Sequence, residues 1–440
     1  MNKIIRLSYI FMVMLLMTTC SNTGIFLSLE NEEEIKESNN LNNSANISNM
    51  VIAGDFYIGN GGPSIFYRST NTSTTDSKID DWSTLLVPET SFENPSVYFS
   101  RTTSTTSMVL LNGDLYISRI SFDGSSVISG IYRLPNADTI DISALTAASW
   151  EKIIEVTTEK ASSSFNSNVF RLFEAQSSLY INHLTYFYSG SDDQTASISS
   201  SALYVTTTPE TIADNLANAT AIDISSFFSE LSNPVEVAKI TTSGTNYWMI
   251  INSDTSTDGS DPTLNKVLRS TDSTTFTEVT AIPDARYVDI YEYKTNPDVL
   301  LVSNTSGSLY ISINADSAPT SADLVFTELA NESVFLNGFE DIGALVPDNV
   351  IVGTSATYDD GSIDGEGYYQ LDLSDLSNIT WSVDNFSHYN NYFSSELSTA
   401  SINGFLFDSA KSRLFAYTRS MGLWMNILPD NKTEREWSRE

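Results

Sequence analysis

Short apolar segments separated by polar turns repeat along the chain from residue 49 to its end. Each repeat carries two apolar–aromatic pairs on successive segments, as in Leu115-Tyr116 followed by Ile131-Tyr132. A further apolar segment precedes the first pair, and a third segment with an aromatic residue near its start follows the second pair. Segments of this length and alternation predict β-strands. The order recurs seven times, which predicts seven units of four strands, each about 50 to 70 residues long. The residues that mark the last segment of each unit are Trp82, Trp150, Ile222, Phe276, Phe326, Trp381 and Trp437.

This pattern predicts an all-β fold, a seven-bladed β-propeller of four-stranded blades over residues 49–440. All six tryptophans lie on the recurring segments, which scattered core aromatics would not do. The alternative is a pair of β-sandwiches, which are also rich in short strands, but the in-phase repeat favours the propeller. Because every unit owns its four strands, we expect the ring to close by packing alone, without exchange of a strand between the termini.

The composition narrows the classes of partner and site. The 440 residues include 55 acidic and 22 basic ones, for a formal net charge of −33. A surface of this sign repels phosphate backbones, so we expect no nucleic-acid partner. The single cysteine excludes a disulfide within the chain and a cysteine zinc site. We expect a monomer.

The N-terminus has the parts of an export signal: a basic start, an apolar run from Leu7 to Met17, and Thr18-Thr19-Cys20. The run is shorter than the roughly 20 residues that span a bilayer. It resembles a lipoprotein signal peptide. Such a signal usually has leucine three places before the cysteine and Gly, Ala or Ser directly before it, whereas those places hold Met17 and Thr19 here. The resemblance implies a signal peptide over 1–19, a diacylated Cys20 followed by a flexible tether over 20–48, and a protein anchored by lipid to a membrane of the bacterial cell envelope, periplasmic or surface-exposed.

One turn has a sharper resemblance. Residues 268–276 resemble the Asp-box turn of sialidase-like propellers, which reads Ser-x-Asp-x-Gly-x-Thr-Trp. Ser270, Asp272, Thr275 and Phe276 match it, whereas Ser273 replaces the glycine and Phe276 the tryptophan. The resemblance implies a structural role, in which the Asp carboxylate caps backbone amides and the aromatic ring packs between sheets. It says little about activity.

Two acidic loops could hold a cation. Both read Asp-x-Ser-x-Asp-Gly, and they lie where the second and third strands of a blade would join. Alternating oxygen ligands before a turn-forming glycine suit Ca²⁺. Neither loop has the bidentate glutamate that an EF-hand carries, so a Ca²⁺ ion there would be weakly bound and structural; an acidic solvated hairpin tip is the alternative. The candidate ligands are Asp254, Ser256, Asp258, Asp360, Ser362 and Asp364.

The leading functional hypothesis is a binding protein and not an enzyme. In a four-stranded blade, the loops between the second and third strands emerge on the same face as the blade-to-blade connections, and here those loops are long and acidic. A rigid ring with long loops on one face suits a protein, peptide or glycan ligand. The alternative is a glycan-active hydrolase of sialidase-like fold, although the Arg-Ile-Pro of sialidases is missing. His183 and His388 have no recognisable partners, and we expect no catalytic residue and no cofactor beyond a structural Ca²⁺.

Overall fold

The strands of the described chain form seven separate sheets, and each sheet consists of four consecutive antiparallel strands. The seven-bladed propeller of four-stranded blades is therefore confirmed. In this computed structural model the described residues are 47–62, 64–71, 82–85, 87, 107–122, 126–159, 164–189, 195–212, 216–228, 235–253, 265–283, 285–331, 335–355, 367–382, 397, 400–419, 422–427 and 436–439.

The blades follow one another in chain order. Blades 1 to 3 comprise β1 (Asn49–Ala53), β2 (Phe56–Asn60), β3 (Ile65–Ser69), β4 (Ser83–Leu85), β5 (Met108–Leu111), β6 (Asp114–Phe122), β7 (Ser126–Leu134), β8 (Glu151–Glu159), β9 (Ser164–Ala175), β10 (Ser178–Ser189), β11 (Thr195–Thr206) and β12 (Thr220–Ile222). Blades 4 and 5 comprise β13 (Glu236–Ser243), β14 (Asn246–Asn252), β15 (Asn265–Ser270), β16 (Phe276–Glu278), β17 (Tyr287–Glu292), β18 (Leu300–Asn304), β19 (Ser308–Ser312) and β20 (Phe326–Asn331). Blades 6 and 7 comprise β21 (Phe335–Asp341), β22 (Asn349–Ser355), β23 (Tyr368–Asp372), β24 (Thr380–Ser382), β25 (Ile402–Asp408), β26 (Arg413–Thr418), β27 (Leu423–Ile427) and β28 (Glu436–Arg439).

Helical structure in the described residues is limited to single 3-10 turns in the connections between strands. The turns whose full length is described are Ile142–Ala144, Ala147–Ser149, Pro209–Thr211, Ser225–Phe227 and Ser321–Asp323. None of the described helices has the length and apolar character needed to cross a lipid bilayer.

Apolar packing between neighbouring blades forms the core. Seven clusters of buried side chains each join two adjacent blades, the last joining blade 7 to blade 1. The repeated apolar–aromatic pairs supply them from the second and third strands, as Tyr116 and Ile131 do between blades 2 and 3. Because a β-strand alternates its side chains between two faces, each blade can contribute to two clusters. The first strands contact one another all round the ring and surround its axis.

The ring closes through hydrogen bonds as well as packing, so the expectation of packing alone is wrong. No strand is exchanged among the described residues, but Ile47 donates its backbone N–H to the carbonyl of Thr418 at 3.0 Å. The Tyr57 hydroxyl of blade 1 donates to Asp408 Oδ2 of blade 7 at 2.5 Å. Arg413 Nη1 donates to the carbonyl of Thr70 at 3.0 Å. Packing alone was expected because sequence patterns do not show which polar groups meet across the seam.

The turn between β13 and β14 requires a glycine. Gly244 has φ +54°, and a Cβ there would lie 2.3 Å from Asp316 Oδ1. That carboxylate cannot simply move, because it accepts hydrogen bonds from Thr245 N and Asn246 Nδ2, each at 3.0 Å. The turn of blade 4 is thus held against the connection that follows the third strand of blade 5.

We expect Gly244→Ala to destabilise the protein by about 2 to 4 kcal/mol, since it combines left-handed backbone strain with a displaced, hydrogen-bonded carboxylate. The control is Gly62→Ala, where φ is +84° but nothing lies within 4 Å of the new Cβ, so only the strain of about 1 kcal/mol applies. Chemical denaturation of both variants measures the difference. Equal losses of stability would contradict the role of Asp316.

Candidate functional site on the loop-bearing face and ring axis

Several predicted site residues lie outside the part of the chain that the structure describes. Cys20 is one of them, and so are all six candidate Ca²⁺ ligands: Asp254, Ser256, Asp258, Asp360, Ser362 and Asp364. Lipidation and Ca²⁺ binding therefore stay predictions. Within the described residues, no group of three or more His, Cys, Asp or Glu side chains is arranged to hold a metal ion.

The turn from Ser270 to Phe276 lies on the face opposite the long loops. Asp272 Oδ1 accepts the backbone N–H groups of Thr274 at 2.9 Å and Thr275 at 2.6 Å. These two hydrogen bonds hold the pKa of Asp272 well below its usual value. Ser273, at the position of the missing glycine, has φ +70°, and Phe276 is buried in the cluster between blades 3 and 4. The side chains thus stabilise a turn, and membership of the Asp-box class stays a prediction.

Blades 2 and 3 rise above the rest of the loop-bearing face. Strands β6 to β8 have nine residues each and β9 to β11 have twelve, whereas strands elsewhere have three to eight. β5 pairs only with residues 114–117 of β6, and β12 pairs only with residues 203–205 of β11. The remaining parts project beyond the ring. We call them the wall, which consists of residues 118–122 and 126–130 of blade 2 and residues 184–189 and 195–202 of blade 3.

A small apolar core joins the two halves of the wall. Val127 of blade 2 and Phe165 of blade 3 are buried against each other, and Ile120 and Tyr186 pack around them. Phe187, on the other side of β10, is 38% exposed. The wall is therefore a packed projection with an accessible aromatic side chain. Its sequence signal is the strand-like alternation from residue 164 to 206 with only two short breaks.

His183 lies inside β10. Its ring stacks on Phe170, with centroids 4.8 Å apart, and its Nε2 lies 2.9 Å from Asn168 Oδ1. Burial lowers the pKa of His183, so the imidazole is neutral at pH 7. It packs between blades 2 and 3. His388 lies outside the described residues.

The inner edge of each first strand faces the ring axis and has no further strand to pair with, so its backbone groups need other partners. Side chains from a neighbouring blade supply several of them. Asn49 Nδ2 donates to the carbonyl of Met108 at 2.6 Å, and Asn337 Nδ2 donates to that of Ile402 at 3.0 Å. Together with the charged residues described next, these side chains form what we call the inner belt. Its members are Asn49, Arg171, Glu236, Lys239, Asp289, Asn337 and Asn403.

The belt is ionic on blades 3 to 5. Arg171 of blade 3 pairs with Glu236 of blade 4, and Lys239 Nζ of blade 4 lies 3.2 Å from Asp289 Oδ1 of blade 5. Arg171 also forms a hydrogen bond with the Tyr186 side chain of the wall. Asp289 Oδ2 in turn accepts the backbone N–H of Gly338 in blade 6 at 2.7 Å. Wall and belt thus form one connected polar surface with charges of alternating sign.

A second group of side chains lies further along the axis, towards the opposite face. Glu340 is one residue from the end of β21, and its carboxylate accepts the backbone N–H of Phe407 in blade 7. Burial raises the pKa of Glu340 to about 7, although Lys294 opposes that effect. Burial also raises the pKa values of Tyr291 and Tyr417, as does the negative charge of Glu340. Near this end of the first strands, a carboxyl group that titrates near neutrality therefore interacts with two neutral phenols, Tyr291 packed between blades 5 and 6 and Tyr417 packed between blades 7 and 1.

The residues of the axis could not be found from the sequence. Lys239, Asp289, Glu340 and Tyr417 come from four blades, and each looks like an ordinary polar or aromatic position in a strand. Irregular pairing contributes to their placement, because the first strands of blades 4 to 7 all have a register shift. A β-bulge changes the direction in which the following side chains point.

Comparisons with known proteins give similarities of fold. No family model matches the chain, and no curated protein matches it either. A solved structure of "YCF48 bound to D1 peptide" is 11% identical, with 89% of this chain and 94% of that chain covered and a TM-score of 0.46.

Enzymes are also among the similar structures. An α-L-arabinofuranosidase of Fusarium graminearum, solved with an iminosugar inhibitor, is 12% identical over 74% of this chain and 92% of its own, with a TM-score of 0.36. The polysaccharide lyase Uly1 is 8% identical over 75% of each chain, with a TM-score of 0.37. At these identities the likeness concerns the fold alone, and the similar structures include enzymes and a peptide-bound protein.

Proposed function

We propose that this chain is an exported lipoprotein, anchored through Cys20, whose propeller binds a protein, peptide or glycan ligand on its loop-bearing face. The observation that carries the proposal is the wall of blades 2 and 3 beside the ionic part of the inner belt. A packed projection with the exposed ring of Phe187, next to partly exposed donors and acceptors such as Lys239, provides apolar area and polar anchors. Ligand recognition commonly uses both.

The entry point of the chain supports the link between anchor and ligand face. Ser48 donates its backbone N–H to the carbonyl of Asn60, at the end of β2, at 2.9 Å. Ile47 bonds to Thr418 at the end of β26. Both strand ends lie on the loop-bearing face, so the predicted tether over 20–48 reaches the domain on the same face as the wall. A ligand bound there would lie on the side from which the domain is anchored.

Site-specific photo-crosslinking in the source cells tests the ligand face. A photoreactive residue at the exposed Ser200 of the wall is expected to give discrete crosslinked species. The same residue at the exposed Ser374, after β23 on the opposite face, is the matched control and is expected to give none of them. Identical products from both positions would contradict the proposal.

The anchor has its own test. Mass spectrometry of the N-terminal peptide from the membrane fraction is expected to show an acylated Cys20, and Cys20→Ala is expected to release the protein from the membrane. An unmodified N-terminus after cleavage would refute the anchor and leave the ligand face untouched.

A glycan-active hydrolase is the second candidate, favoured by two carboxyl groups in contrasting environments on adjacent blades. Asp289 is ion-paired with Lys239, whereas burial raises the pKa of Glu340 to about 7. A pair of this kind can divide the acid and base roles of glycoside hydrolysis. The binding proposal expects no turnover of a panel of fluorogenic glycosides. Turnover that is abolished by Asp289→Ala would replace it with the hydrolase.

A further inference from the structure

Glu340 is a deeply placed carboxyl group without an ion-pair partner among the described residues. It lies at the inner edge of blade 6, and no described lysine or arginine nitrogen comes within 4.0 Å of its oxygens. Lys239 and Lys294 act on it only from a distance, and Asp341 adds a repulsive charge. Its one described hydrogen bond comes from the backbone N–H of Phe407. A carboxylate in this position loses hydration and gains little in return.

Two tyrosines lie close enough to this carboxyl group for its charge to raise their pKa values. The ring of Tyr291, from blade 5, stacks on Phe339 with centroids 5.8 Å apart and an angle of 23° between the rings. Its hydroxyl is buried near the backbone of Asp341, but no hydrogen bond of ordinary geometry satisfies it among the described residues. Tyr417, from blade 7, reaches the same region, and its hydroxyl lies where a side chain at Gly404 would stand. Both phenols keep their protons at neutral pH.

These features fit one kind of ligand. A carboxylate would be repelled by Glu340 and Asp341, and a neutral hydroxyl would leave the carboxylate unpaired. An ammonium or guanidinium group would form an ion pair with Glu340 and cation–π contacts with the faces of the aromatic rings. It could also donate a hydrogen bond to the unsatisfied Tyr291 hydroxyl. The net charge of −33 favours the approach of a cation from solution.

We propose that the lower half of the ring axis binds a basic side chain, a lysine or arginine of a partner polypeptide, with Glu340 as its ion-pair partner and Tyr291 and Tyr417 lining the site. This site is distinct from the wall and lies towards the opposite face, where Asp341 ends its strand. It goes beyond the proposed ligand face, and neither depends on the other. The exposed Lys294 is the nearest competing cation of the chain itself.

The test uses an acetylated, amidated Gly/Ser peptide with a single central lysine, and the same peptide with norleucine in its place. Titration calorimetry at about pH 8, where Glu340 is ionised, is expected to show binding of the lysine peptide and not of the norleucine peptide. Glu340→Gln, which keeps an acceptor for Phe407 N–H, is expected to weaken binding at least about tenfold. Glu159→Gln removes the same charge from the exposed end of β8 and is expected to change the affinity for the lysine peptide by less than about twofold.

Tyr291→Phe provides a second readout. It removes a hydroxyl for which the described residues offer no partner of ordinary geometry beyond the nearby backbone of Asp341, so folding should change little while affinity falls roughly threefold to tenfold. The lysine peptide is also expected to bind more weakly at about pH 5.5, because Glu340 is then protonated. Equal binding to Glu340→Gln and Glu159→Gln would overturn the site and reduce the effect to general attraction by an acidic protein. Binding of the norleucine peptide as tightly as the lysine peptide would overturn it too.

Discussion

Replacing Tyr57 with alanine is expected to destabilise the protein by about 3 to 5 kcal/mol and to open the seam between blades 1 and 7. The side chain is fully buried, and its ring lies 4.7 Å from that of Phe415 across the seam. Truncation of a buried aromatic side chain leaves a cavity as well as lost contacts. Burial and the bond to Asp408 raise the pKa of Tyr57, so the phenol remains a neutral donor.

The hydroxyl contributes a separable part of this effect. It donates to Asp408 Oδ2 at 2.5 Å and accepts from Arg413 Nη1 at 3.4 Å, and Asp408 and Arg413 are both buried. Tyr57→Phe removes one hydrogen bond from each of these charged groups, and we expect this loss to lower the free energy of unfolding by about 1 to 3 kcal/mol. Denaturation curves of the two variants divide the total into packing and hydrogen bonding.

Tyr180 provides the matched control. It is as deeply buried as Tyr57 and donates to the carbonyl of Ser273 at 3.1 Å, but it lies between blades 3 and 4, which the chain itself connects. Hydrogen exchange is expected to quicken in β1 and β26 for Tyr57→Ala and not for Tyr180→Ala, because only the seam lacks a covalent link. The same exchange pattern in both variants would show that the seam is no weaker than any other blade interface.

Glu340→Gln is expected to stabilise the protein above neutral pH by about 2 to 3 kcal/mol. This size follows from about 1.4 kcal/mol for each unit by which the pKa is raised, reduced for partial contact of the carboxyl group with solvent. The folded pKa is about 7 and the ordinary value is 4.5. Below about pH 4.5 the carboxyl group is protonated in both the folded and the unfolded state and contributes no penalty. As the pH rises to about 7, ionisation is easier in the unfolded state, so wild-type stability falls by this amount and then levels off.

Melting curves from about pH 4 to pH 8.5 measure the effect as the difference between variant and wild type, which cancels the many other carboxyl groups. The control, Glu159→Gln, alters an exposed position at the end of β8 and is expected to give a difference that does not change over this range. A flat difference for Glu340→Gln as well would mean that Glu340 is well solvated in the folded protein.

Much of the fold was predictable because its determinants are local. Alternation of apolar and polar residues specifies a strand and its two buried faces, and the paired aromatics mark the second and third strands of each blade. The turn at Asn112-Gly113, with φ values of 52° and 84°, is of the kind that the Asn-Gly dipeptide forms between strands. Seven such units in phase leave few alternatives, since each blade needs a neighbour to cover its apolar faces.

The candidate site was less predictable because its residues meet only in the folded ring. The sequence suggested ligands in the long loops, whereas the described geometry brings together Asp289, Lys239 and Glu340 from first strands that face the axis. These side chains lie beside an unpaired strand edge, whose backbone N–H and C=O groups need hydrogen bonds from neighbouring side chains. That need arises only after the blades are arranged in the ring. The predicted Ca²⁺ loops and Cys20 stay predictions.

The sequence by itself therefore determined the number of blades, the four strands of each, and the apolar faces on which they pack, because these follow from short-range alternation and turn chemistry. Only the tertiary structure decided how the ring is closed, which blades rise into a wall, and which polar groups line the axis. Tyr57 and Asp408 are 351 residues apart, and their hydrogen bond follows from the circular arrangement of the blades. Contacts of this kind depend on distances that no local pattern encodes.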